Sequence, residues 1–95
     1  MIREKNMLRK EFTIENEVGL HARPASVLVQ TANRFVSTIT IKRDSENANA
    51  KSIINVLSLG VEKGTKITIE IEGEDEKEAM EAITSLIKNN FGEKK

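Results

Sequence analysis

In Lys66-Ile67-Thr68-Ile69-Glu70-Ile71-Glu72 every second residue is isoleucine and the residues between are polar or charged. Alternate side chains of a strand point to opposite faces, so this segment calls for a sheet with one dry face and one wet face. A sheet of that kind is antiparallel and carries helices on one side only. Two weaker runs repeat the pattern. Leu8, Lys10, Phe12 and Ile14 alternate with polar residues, which places Phe12 and Ile14 inward, and Ile39 and Ile41 are set against Thr38 and Thr40 in the stretch from Ser37 to Arg43. Asp44-Ser45-Glu46-Asn47 reads as a turn and Ala48 to Ala50 as a short edge strand.

Helical periodicity fills the gaps. Ala25, Leu28, Val29 and Ala32 recur on one face between Ala22 and about Asn33. Ser52 before Ile53-Ile54-Asn55-Val56-Leu57-Ser58-Leu59, with Gly60 after it, has the cap and the stop of a short helix. Asp75 opens a last, longest helix whose stripe is Ala79, Met80, Ile83, Ile87 and Phe91, with Gly92 as its expected C-terminal cap. The predicted order is βαββαβα. It belongs to the α+β class, an open-faced β-sandwich with a four-stranded antiparallel sheet and three helices on one face. Residues 1–7 are charged and aperiodic and read as a flexible N-terminal extension; the domain spans 8–92, and 93–95 form a tail.

Length and composition close off several functions. Ninety-five residues make one small domain. Without cysteine and with one histidine, neither a disulfide framework nor a zinc cluster can be built, so no metal is expected. Nothing approaches the roughly 20 apolar residues of a membrane span, and the charged start is no signal peptide, so a cytoplasmic protein with no membrane insertion is expected. Net charge is zero, yet from Gly19 to Lys66 seven basic residues face three acids, and from Ile67 to Phe91 seven acids face two lysines. That asymmetry favours acidic partners near the basic half. Direct nucleic-acid binding is disfavoured by neutral charge, three Phe, and no Trp or Tyr.

The basic half contains Gly19-Leu20-His21-Ala22-Arg23-Pro24-Ala25, with the only histidine of the chain. Helix-start rules put His21 at the N-cap, Ala22 first in the helix, and Pro24 in the first turn, where a missing amide costs little. The free amides of that turn, including that of Ala22, and the helix dipole form an anion site, to which Arg23 adds a planar cation. A lone histidine at a helix start is in most sequences only a surface residue. Here Gly19, Arg23, Pro24 and the small Ala22 and Ala25 leave the imidazole uncrowded beside an anion site, which does little for stability. A hydrolase built on His21 lacks a cysteine, a nucleophile elbow and a pocket to exclude water.

The motif Gly19 to Ala25 resembles the active-site motif of HPr, the histidine phosphocarrier family of the bacterial phosphoenolpyruvate-dependent sugar phosphotransferase system. Asn49 to Gly60 resembles the regulatory-serine segment of HPr from low-GC Gram-positive bacteria, with Ser52 at the family's distance of 31 positions from His21. The likeness runs from about Leu8 to Gly92 and supplies the strand order. It implies a monomeric carrier rather than a free-standing enzyme, needing no cofactor. His21 would take a phosphoryl group on Nδ1 from enzyme I and pass it to the IIA domains of sugar permeases, with Arg23 contacting the phosphate.

Ser52 reads from sequence as an N-cap. The resemblance adds a regulatory phosphosite, with HPr kinase/phosphorylase as the modifying enzyme and a corepressor role with the catabolite control protein. Val18, Ser45, Ile54, Asn55 and Leu57 depart from the residues usual in that branch. Ile53, Ile54 and Leu57 are the expected docking residues, with Ile54 and Leu57 forming an exposed apolar patch beside His21. The alternative is a purely regulatory HPr-like binding module. Such relatives usually lack the histidine, and this chain retains both His21 and Arg23.

Overall fold

The computed structural model describes residues 2–4 and 7–93. In chain order the elements are β1 (Ile2–Glu4), β2 (Met7–Thr13), α1 (Ala22–Ala32), β3 (Thr38–Arg43), β4 (Glu46–Asn49), α2 (Ile53–Ser58), β5 (Lys66–Glu72) and α3 (Glu76–Lys88), followed by a 3-10 turn at Asn90–Gly92. The strands form an antiparallel sheet in the order β1-β2-β5-β3-β4. The isoleucine-rich β5 is central. Its inward residues meet like residues on both neighbours, since Ile71 stands between Leu8 and Ile39, Ile69 opposite Ile41, and Ile67 opposite Phe12. All of these are buried under the helices, beside Leu28 of α1, Val56 of α2, and Ala79, Met80 and Ile83 of α3. Burying one such side chain contributes roughly 1.5–3 kcal/mol, which is why the alternation decides the architecture.

On the other face Glu70 lies between Arg9 of β2 (3.7 Å) and Lys42 of β3 (3.5 Å), so charge laces three strands where helices do not cover them. Lys10 points to the helical side with the apolar residues. It stays half-buried by laying its ammonium 5.2 Å from the Phe12 ring centre.

Strands β2 to β5, which are the four the sequence predicts, and the three helices are as expected, with several corrections. Within the expected extension, Ile2–Glu4 form β1 by pairing with Met7–Arg9, which covers the outer edge of β2, and Met7 itself belongs to β2, while Met1, Lys5 and Asn6 lie outside the described residues. The pattern was illegible because a three-residue strand carries no period. Within the tail, Glu93 joins the domain by accepting a hydrogen bond from Asn16, while Lys94 and Lys95 lie outside the described residues. The turn after β3 shrinks to Asp44-Ser45, with Asp44 left-handed at φ 54°, so β4 starts at Glu46 and ends at Asn49. Helix α3 ends at Lys88 with Asn89 as its C-cap, not Gly92. Asn90 and Phe91 then take left-handed backbone at φ 57° and 59°, and this reversal returns the Phe91 ring to the core.

Asp75 holds the N-cap position of α3 but its carboxylate caps nothing there. It accepts hydrogen bonds from the Ser37 hydroxyl (2.6 Å) and from the amides of Ser37 and Val36 (3.0 Å each), clamping the α1–β3 loop to the start of α3. Gly73 permits the approach, since with φ 152° a Cβ there would overlap Ser37. The Ser37 hydroxyl bond holds the Asp75 carboxyl below its ordinary value of 3.8; desolvation opposes this, and the two loop amides reinforce it. Because the folded value is depressed, the clamp stabilises fully above the unfolded value and is lost as pH falls through the folded one. Asp75→Asn is therefore expected to lower the melting temperature at pH 7, with the gap to wild type closing below about pH 4. Thermal melts across that range check it.

Candidate functional site

The loop from Asn16 to Leu20 is laid directly on the segment after α2. Gly19 has φ 60°, and a Cβ there would come within 2.6 Å of Glu62 Cα and closer still to the Val61 carbonyl oxygen. The Leu20 amide donates to that carbonyl at 2.9 Å, and Leu20 is buried. The next residue, His21, has nowhere to go but the surface. Its extended backbone (φ −80°, ψ −170°) makes it the N-cap of α1, and its carbonyl accepts the first helical bond, from the Ala25 amide at 2.9 Å.

The imidazole caps nothing with its own atoms and is exposed, as are Ala22 and Arg23. The amides of Ala22 and Arg23 precede the first intrahelical bond, and Pro24, buried in the first turn, has no amide. The first turn holds no acidic residue that would compete for the helix dipole. Arg23 makes no hydrogen bond or ion pair among the described residues. It lines an open groove of about 1100 Å³ with Val18, Lys63, Gly64 and the turn Asn90–Glu93. The surroundings are thus a nucleophilic ring, a helix amino end and an uncommitted cation on one surface, an arrangement that receives an anion without enclosing it.

Ser52 is the N-cap of α2, its hydroxyl accepting the Asn55 amide at 3.3 Å. Of the expected docking residues, Ile54 is 70% exposed and Leu57 39%, whereas Ile53 is half-buried against the core. Two hydrogen bonds show that α1 and α2 run antiparallel: Asn33, at the end of α1, donates to the Lys51 carbonyl beside Ser52, and Leu20, before α1, donates to Val61, after α2. Ser52 and His21 therefore sit at opposite ends of α1, which at 11 residues spans about 16 Å. Leu57 lies at the His21 end.

Two supporting residues escaped the sequence reading. Arg43 Nη1 donates to the Leu59 and Gly60 carbonyls at 2.6 and 2.8 Å, closing the carboxyl end of α2, and Lys51 Nζ donates to the Phe35 carbonyl at 2.6 Å. A cation is the right group for unpaired terminal carbonyls, but which cation reaches them depends on sheet placement. Among the described residues no cluster of metal-ligating side chains occurs, and no helix is long and apolar enough to cross a membrane.

Fold and site define a small one-sided sandwich that presents a single imidazole at its surface. The family model described as the PTS HPr component phosphorylation site matches residues 8–89. The phosphocarrier protein HPr of Cupriavidus necator is 45% identical over 87 residues, 92% of this chain and 98% of that one. The HPr-like protein Crh of Halalkalibacterium halodurans is 47% identical over 81 residues, covering 85% and 96%. The crystal structure of an HPr from Thermoanaerobacter tengcongensis superposes with TM-score 0.90 at 44% identity, covering 93% of this chain and 99% of that one. The chain belongs to the HPr family of the phosphotransferase system, a family of phosphocarriers rather than free-standing enzymes.

The contact beneath Gly19 makes a direct test of how the histidine is seated. Gly19→Ala must place a methyl group on the Val61–Glu62 backbone in a left-handed conformation, at a cost of roughly 1–3 kcal/mol. Urea denaturation is expected to show that loss, together with faster exchange of the Leu20 amide.

Proposed function

We propose that this chain accepts a phosphoryl group on His21 from enzyme I and delivers it to the IIA domains of sugar permeases, acting as a cytoplasmic monomer. The observation that carries this reading is the exposed imidazole at the bare amino end of α1 beside an uncommitted Arg23. In the transfer, a lone pair of the ring, at Nδ1 by family likeness, forms the bond to phosphorus as the donor's bond to it breaks. The charge on the three phosphoryl oxygens is met by the Ala22 and Arg23 amides and the Arg23 guanidinium. Positioning and electrostatics suffice on this side, with the partner supplying the rest. A neutral imidazole nitrogen is a competent nucleophile toward phosphorus and forms a covalent intermediate that can be passed on.

Ile54 and Leu57 are the proposed docking contacts, with Ile53 a support for that face from its half-buried position. Ser52 is the proposed regulatory phosphosite for HPr kinase/phosphorylase, and its modified form the corepressor presented to the catabolite control protein. Because Ser52 lies a helix length from His21, its phosphate acts on docking rather than on the ring. The competing reading, a regulatory module without transport duty, is favoured by the likeness to Crh.

Incubation with enzyme I and phosphoenolpyruvate separates the two. Wild type is expected to acquire acid-labile, base-stable phosphate and His21→Ala none, while the variant's stability stays within about 0.5 kcal/mol because the ring makes no cap bond. Absence of label on wild type would establish the regulatory reading. Ser52→Asp keeps a capping oxygen and suits the dipole, so its stability is expected to change by less than about 1 kcal/mol. Its KM for enzyme I is expected to rise roughly tenfold, partly rescued by salt, with the saturated rate little changed.

A further inference from the structure

We infer that Asn16 is a positioning residue for His21, holding the loop that aims the imidazole; this rests on the phosphocarrier reading above. Asn16 is buried, at 3% exposure. It grips Gly19 from both sides: its backbone carbonyl accepts the Gly19 amide at 3.1 Å, and its side-chain Nδ2 donates to the Gly19 carbonyl at 2.8 Å. The same Nδ2 donates to Glu93 Oε1 at 3.0 Å, tying the loop to the chain after α3. The amide has no alternative orientation, because a flip would set its oxygen against two acceptors.

The remaining oxygen, Oδ1, is buried and has no hydrogen-bond partner among the described residues. A buried acceptor left unpaired costs stability, so Asn16 is poorly suited to a role in stability alone. What its two donor bonds do achieve is local. They hold the Gly19 peptide in its left-handed conformation against Val61 and Glu62, one residue before the Leu20–Val61 bond and two before the ring. Group transfer is sensitive to displacements of about 1 Å at the reacting atom, so the rigidity of this loop enters the transfer rate. Asn16 lies outside the Ile54 and Leu57 patch, so its influence falls on the transfer step and not on docking.

The test compares wild type, Asn16→Ala, Asn16→Asp, Glu93→Gln and Glu93→Ala at one temperature well below every melting point. The two Asn16 variants remove both donors, the second at nearly constant volume. Each is expected to slow phosphorylation by saturating enzyme I about tenfold, with KM within twofold of wild type. Glu93→Gln keeps the acceptor and is expected to match wild type, with Glu93→Ala intermediate. Hydrogen exchange supplies the readout independent of activity: the Leu20 amide is expected to exchange at least tenfold faster in the Asn16 variants while the amides of β5 keep their protection. Saturated rates within twofold of wild type, or a KM rise with an unchanged saturated rate, would overturn the inference. So would uniform loss of protection across the sheet. If wild type itself takes no phosphate while the Leu20 exchange responds as stated, the phosphocarrier reading fails and the loop assignment stands.

Discussion

Everything in this structure depends on β5 being dry on one face. Ile67, Ile69 and Ile71 can be buried only if neighbours on both sides present matching apolar residues at the same register, which Phe12, Leu8, Ile39 and Ile41 do. A one-residue slip of either neighbour would turn its apolar set to the solvent, so the register is tightly specified. The helices are then confined to a single side, and their six ends are drawn to the rims of one layer. The exposure of His21 follows from that confinement: α1 must lie on the sheet with its amino end at a rim, and the residue capping it faces water.

The other requirement is that the segment after α2 serve as a floor for the loop before α1. Val61 is buried while its carbonyl accepts the Leu20 amide, and Glu62 passes so close to Gly19 that no side chain fits. The end of α2 is itself held by Arg43, which reaches from β3 to the Leu59 and Gly60 carbonyls. Sheet, α2 and histidine loop are therefore mechanically continuous through β3, the end of α2 and the floor segment. Antiparallel packing of α1 and α2 sets His21 at one end and Ser52 at the other, with the exposed Ile54 and Leu57 between them on α2.

The groups gathered around His21 cost little to assemble. The helix amino end exists wherever a helix starts, and Arg23 needs no partner to remain extended on the surface. The strained elements lie elsewhere, in the left-handed Asn90 and Phe91, which line the same groove as Arg23. Strain collected around one surface is sustained by the packing of Phe91 and Ile14 into the core beneath it.

Much of this was legible in the residues alone. Period-two alternation located β2, β3 and β5, helical periodicity located α1 and α3, and cap chemistry placed His21 before Ala22 and Ser52 before Ile53. These are short-range signals, written in the identity and spacing of neighbouring residues. What the tertiary structure decided is long-range. The use of Asp75 to hold Ser37 rather than its own helix, the left-handed return of Phe91 to the core, the bond of Asn16 to Glu93, and the reach of Arg43 to the end of α2 each join positions whose separation along the chain carries no pattern. A polar side chain takes whichever acceptor or donor the packed core brings within about 3 Å, and that choice is made only when the sheet has closed under its helices.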